Sequence, residues 1–433
     1  MRNVVVEIFL FLQSDSLRFH DCDFWFLVFW RAVMIAVNSA GQSKSADFVS
    51  KVRHGSLSDS ERGCCMFSGN LAIDKILDGF VPYFSFFGHP NTSQLDAAKD
   101  LWIFDEIHKY RLWKAWLKGL DDEFGEKYKF LVTGSARLDI FKKGGDSLQG
   151  RYFRHRLFPF TLAELLHPSS IPDLLNNNAD SFFNFKSQQS YQKVFDDLML
   201  LGGFPEPYSK GSKVFADRWR LLYQERLIRE DIRDLTEIKN LDKLELVSDR
   251  LPSLVASVLS VNNLREDAEV SHDAVKNWLL ALENLYSVFR ISPMGAPKIK
   301  AVLKEQKIYC WDWARVENMG ARFENLVALS LLKFVQAAQD LFGIKTELRY
   351  FRDTLGHEVD FVVFKKNQPR FAVECKLKNQ KLDSNLSYLL NRVKIPYAFQ
   401  LSCYGGLDYE TKESFQGTRI RVMPAAKFLA VLM

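Results

Sequence analysis

Two adjacent carboxylates, Asp105 and Glu106, follow directly on the short apolar run Leu101–Phe104. Neighbouring residues leave a strand tip in different directions. One carboxylate can therefore hold Mg²⁺, directly or through water, while the other polarises an attacking water. A plain strand-to-helix turn with a capping acid would use the same two residues. The next apolar run, Lys129–Val132, leads into Thr133, Gly134 and Ser135. A small hydroxyl there can sense a γ-phosphate or orient the water held by the neighbouring strand.

A second set lies near the C-terminus. Asp360 and Glu374 stand on consecutive β-rich runs, and Lys376 follows Glu374 by two residues. The spacing D-x₁₃-E-x-K matches the PD-(D/E)xK core of metal-dependent nucleases, where the acids hold Mg²⁺ and the lysine stabilises the attacking water or the phosphorane charge. Strand alternation puts Ala372, Glu374 and Lys376 on one face and Phe371, Val373 and Cys375 on the other. Glu324, on the helix that the sequence predicts before these strands, is the candidate for a further acid. The four are expected to converge in one pocket. The competing reading is a fold that keeps them for packing and salt bridging.

A phosphate-binding loop needs a strand, then G-x-x-x-x-G-K-[ST], then a helix. The nearest candidate is Asn38–Ser45, where Lys44 and Ser45 are in place after the apolar run Val33–Val37. Both required glycines are replaced, by Asn38 and Ser43, and a side chain there crowds the backbone curl. The segment is a degenerate loop, a coincidence, or an N-terminus altered by truncation or a frame error. ATP binding is expected to be weak or absent.

The elements that must position these residues divide the chain in four. Residues 1–70 form an atypical N-terminal segment, 71–187 an ATPase-like core, 188–300 a helical region and 301–433 a final α/β domain. In the core, strand (Leu101–Phe104), helix (Tyr110–Phe124, with Trp113, Trp116, Leu117 and Leu120 on one face) and strand (Lys129–Val132) predict a parallel sheet. Leu264–Ala268, then His272–Asn284 capped by Ser271, then the strand Tyr286–Ile291 outline a winged helix. His272, Lys276, Asn277 and Arg265 could touch a duplex there, but Glu266, Asp267, Glu269 and Asp273 surround them and repel phosphate. The unit therefore reads as structural. Glu317–Ala338 is predicted helical, and Thr346–Phe351, Glu358–Phe364 and Arg370–Lys376 are predicted strands.

In joint order, FDEIHK (104–109), LVTGSARLD (131–139), GGDSLQGRY (144–152), LFPFTLAEL (157–165), GGFPEP (202–207) and ERLIREDIRDL (225–235) resemble a prokaryotic AAA+-type ATPase family. Members carry a restriction-endonuclease-like C-terminal domain of unknown function. The resemblance runs from about Leu101 to the end. It implies that Asp105 and Glu106 are the Walker B pair, that Ser135 holds the sensor position, and that Arg151, Arg154 or Arg156 could stabilise phosphoryl charge. It also implies ATP and Mg²⁺ as cofactors. The fold class it implies is α/β, with a P-loop-NTPase-like parallel sheet, a helical, winged-helix-like middle and a PD-(D/E)xK nuclease-like end.

The composition is that of a globular chain, with 47% hydrophobic and 26% charged residues. A net charge of +5 permits a nucleic-acid partner without arguing for one. The cysteines are scattered, which suits free thiols in a reducing, cytoplasmic setting. Phe24–Trp30 is intensely apolar, but Arg31 interrupts it before Ala32–Val37, so neither half reaches a membrane span. Asp15, Asp21 and Asp23 precede it, so it does not read as a signal peptide either. The expected function is an ATPase-like protein damaged at its phosphate loop, with a nucleotide partner only if that loop works. The alternative is a metal-dependent nuclease or nucleic-acid-binding protein with the ATPase half as scaffold. The sequence assigns no substrate and no oligomeric state.

Overall fold

The computed structural model describes residues 7–11, 101–104, 113–125, 129–134 and 151–166, most of 190–295, and 306–432 apart from 379 and 414, with a few isolated positions between. The chain divides into two units, residues 1–158 and 159–433.

In the first unit, β1 (Glu7–Phe11), β2 (Leu101–Phe104), β3 (Lys129–Gly134) and β4 (Phe153–Arg156) form a sheet of order β2-β3-β1-β4. The helix α1 (Trp113–Phe124) connects β2 to β3. It buries Trp113, Leu117 and Leu120 against Phe104, Phe130 and Val132, with Trp116 partly buried beside them. These positions recur at helical spacing, so one stripe of α1 covers the sheet. The predicted strand–helix–strand is therefore present, and β2 runs parallel to β3 with Phe104 opposite Val132.

Among the described residues of this unit, the expectation of a parallel sheet holds for that pair alone. β1 is antiparallel to both β3 and β4, with Glu7 opposite Gly134 and Arg156. An apolar run marks a strand, but the direction in which a distant segment enters the sheet depends on chain connection, which periodicity does not carry. The apolar run Val33–Val37 lies outside the described residues.

The second unit opens with helices: α2 (Leu162–Leu166), α3 (Ser190–Leu201), α4 (Pro205–Lys210), α5 (Lys213–Arg226), α6 (Leu241–Arg250), α7 (Val261–Ala268) and α8 (His272–Asn284). Ser271 caps α8 by accepting from the Ala274 N–H, as its residue type predicts. There follow β5 (Val288–Pro293), β6 (Lys307–Cys310), α9 (Met319–Phe342), β7 (Thr346–Arg352), β8 (Glu358–Lys365), β9 (Gln368–Lys378), α10 (Ser384–Arg392), β10 (Tyr397–Tyr404), β11 (Tyr409–Glu410), β12 (Arg419–Pro424) and α11 (Ala425–Leu429). Asn318 caps α9, and Gly343 ends it in the left-handed conformation that only glycine adopts cheaply.

The strands form one mixed sheet, β11-β12-β10-β9-β8-β7-β5-β6. The strand that closes the predicted winged-helix outline is thus a member of the large sheet. β5 pairs antiparallel with β6 and parallel with β7, across the boundary expected at residue 300. The centre of the sheet is covered on both faces. Phe371 meets Phe334 of α9 at 6.0 Å between ring centroids, while Ala372 packs with Leu386, Leu389 and Leu390 of α10. The face carrying Glu374 is therefore apolar in part, through Ala372.

Candidate functional site

β2 and β3 end side by side at Phe104 and Gly134. The residues that follow them, Asp105, Glu106 and Ser135, lie outside the described residues, as do Lys44 and Ser45. Arg151 is described. Its Nη1 stands 3.0 Å from Asp121 Oδ2 and also pairs with Asp122, both on α1. Its hydrogen bonds to these two acids raise its pKa and hold its guanidinium to the helix.

The C-terminal set does come together. Asp360 on β8 and Glu374 on β9 touch through the backbone, the Asp360 N–H donating to Glu374 Oε2 at 3.3 Å. Asp360 Oδ2 in turn accepts from the Cys375 N–H at 2.8 Å. Lys376 Nζ stands 2.7 Å from Glu374 Oε1 and 2.8 Å from Asp383 Oδ2. Glu324 enters from α9, accepting from the Tyr309 hydroxyl at 2.8 Å.

At the centre is a residue that the motif does not contain. Lys307, the first residue of β6, is 1% exposed. Its Nζ lies 2.5 Å from Glu358 Oε1, 3.3 Å from Glu324 Oε1 and 3.8 Å from Asp360 Oδ1, and 5.4 Å from the centroid of the Tyr350 ring. Sequence reading missed Lys307, Glu358, Tyr309 and Asp383. The available signal was a lysine opening an otherwise apolar strand, Lys307-Ile-Tyr-Cys310, in phase with Tyr309. A buried lysine is rare unless it is paired.

Burial and the neighbouring Asp360 push the Glu324 carboxyl up to about 8. The same two causes raise Glu374 well above the usual carboxylate range, and burial raises Asp360. For Lys307, burial opposes the charge, but Glu324, Asp360 and Glu358 outweigh it and hold the ammonium above its ordinary range. Lys376 is held up in the same way by Glu374 and Asp383. The cluster is therefore a low-dielectric site of competing carboxylates with two ammonium groups built into it. Among the described residues, no three His, Cys, Asp or Glu side chains are arranged to hold a metal.

The winged-helix-like candidates lie on exposed turns. His272, Lys276 and Asn277 are exposed on α8, beside exposed Asp273, and Arg265 on α7 pairs with Glu266 at 3.1 Å. The GGFPEP motif has a packing reason. Gly202 has φ +80°, and a Cβ there would meet Asp312 Oδ1 at 2.6 Å, while one on Gly203 would meet the Trp313 ring at 2.5 Å.

Residues 82–166 match the AAA domain. The chain is therefore AAA-type ATPase-like, and its AAA domain includes β2, α1, β3 and β4. The match does not reach Asn38–Ser45. Residues 192–320 match one domain of unknown function (DUF8612) and residues 319–428 another (DUF4143). Together these two cover the eight-stranded sheet, with β5 and β6 in the first and β7 to β12 in the second. No curated protein is similar to the chain. Among the described residues, no helix is long and apolar enough to cross a membrane.

Proposed function

We propose that this chain is a degenerate AAA-type ATPase that binds ATP weakly or not at all. The carrying observation is the AAA domain at 82–166, with β2 and β3 parallel, set beside a candidate phosphate loop that lacks both glycines. On this reading Asp105 and Glu106 keep the metal-holding and water-activating positions, and Ser135 the sensor position. Lys44 and Ser45 are what remains of the phosphate cradle. Arg151, tied to Asp121 and Asp122, serves the packing of α1 rather than a phosphate.

Isothermal titration of the full chain with ATP and Mg²⁺ tests this. Heats too small to fit are expected. Micromolar binding would overturn the reading, and its loss in Lys44→Ala would identify Asn38–Ser45 as a working loop.

A second reading is a metal-dependent nuclease that uses the AAA half as scaffold. The convergence of Glu324, Asp360, Glu374 and Lys376 favours it, and Lys307 beside Glu324 and Asp360 opposes it. Mg²⁺-dependent cleavage of DNA or RNA that is absent from Asp360→Asn would establish that reading over the first.

A further inference from the structure

We infer that Lys307 is the resident cation of the acidic cluster, so that Glu324, Glu358 and Asp360 share the chain's own ammonium and take no divalent metal. This stands apart from the ATPase reading, which concerns the other unit.

The geometry carries it. A divalent cation binds carboxylates by drawing several oxygens to one point, at about 2.0–2.1 Å for Mg²⁺. Here three carboxylates already converge on one cation, the Nζ of Lys307, at 2.5, 3.3 and 3.8 Å. An ion placed between Glu324 and Asp360 would compete with that ammonium for the same oxygens and be repelled by it. The ammonium cannot swing away into water, because Lys307 is 1% exposed and Nζ is also flanked by the Tyr350 ring.

The oxygens themselves are committed. Glu324 Oε1 takes the Tyr309 hydroxyl as well as Lys307. Asp360 Oδ2 takes the Cys375 N–H. Glu374 offers one oxygen to Lys376 and the other to the Asp360 N–H. Arg352 adds a third cation, 3.4 Å from Glu358 Oε2. The arrangement therefore departs from a metal-holding nuclease core at one named place: a lysine from β6 occupies the point where Glu324, Glu358 and Asp360 converge.

Melting curves of the full chain in EDTA, Mg²⁺ and Mn²⁺ test the inference. They are compared for the wild type, Asp360→Asn and Lys307→Met. The wild type and Asp360→Asn are expected to respond to metal identically, since any response then arises away from this cluster. Lys307→Met, which leaves the acids without their cation, is expected to melt lower in EDTA and to regain part of the loss in Mn²⁺. A metal-induced rise in the wild type that Asp360→Asn abolishes would overturn the inference, and so would a folded Lys307→Met with no new metal response. If Lys307→Met does not fold, the comparison of wild type with Asp360→Asn still decides, because it needs no change at Lys307.

Discussion

Arg220 on α5 and Asp312, two residues beyond β6, form an ion pair of 2.8 Å with both side chains almost wholly buried. Arg220 also donates to the Leu201 carbonyl, which ends α3, and its Nη1 reaches Asp217 at 3.0 Å. Gly202 passes directly against this pair, and Trp313 next to Asp312 donates to the Leu198 carbonyl at 2.7 Å. One buried network thus ties α3, α5 and the end of β6 together.

Asp312→Ala should therefore destabilise the chain severely. Removing Asp312 leaves the buried Arg220 with only the exposed Asp217 as an acidic partner, and breaking a buried pair costs about 3–5 kcal/mol. Urea denaturation followed by tryptophan fluorescence would show the midpoint falling with the slope kept. A midpoint within error of the wild type would refute the claim that this pair is structural.

Stability should fall as pH rises through neutrality. Glu324 holds its proton more tightly folded than unfolded, because burial and Asp360 disfavour its charge. That contribution is fully present below about pH 4.3, the range of a free glutamic acid. It is lost as the pH climbs through about 8. Asp360 and Glu374 are shifted in the same direction and add to the slope. Lys307 titrates above its ordinary range, outside this window. Unfolding free energies measured across the window should decline in the wild type and decline less in Glu324→Gln. Parallel curves would show that Glu324 is not the titrating group.

Asn325 is fully buried and serves as an artificial strand neighbour. Its side-chain oxygen accepts from the Cys310 N–H at 2.8 Å, and its amide donates to the Cys310 carbonyl at 2.7 Å. Asn325→Leu keeps the branching at Cγ but leaves both groups unpaired, at about 1–3 kcal/mol for each. Thermal melting should show the drop, and faster amide exchange at Cys310 would place it there. Unchanged exchange would mean that the two bonds contribute nothing.

Local features were legible because their causes are local. The stripe Trp113, Leu117, Leu120 specified the buried face of α1, and Ser271 specified the start of α8. The D-x₁₃-E-x-K spacing was enough to bring Asp360 and Glu374 together, because it spans two adjacent antiparallel strands whose register a short turn sets. Glu324 was within reach for a similar reason, since α9 is one long helix with an apolar face and a cap that fixes its start.

What the sequence determined by itself was which segments become helices and strands, and which acids share a strand pair. Those depend on period, capping and turn chemistry, all written within a few residues. The tertiary structure alone decided that β1 runs antiparallel to β3, that β5 joins β7 in one sheet, and that Lys307 sits among the acids of β8 and α9. Each of these joins residues far apart in the chain. They arise from how layers close over buried surface, and in a closed layer a lysine's long stem can deliver a charge to carboxylates that no motif places beside it.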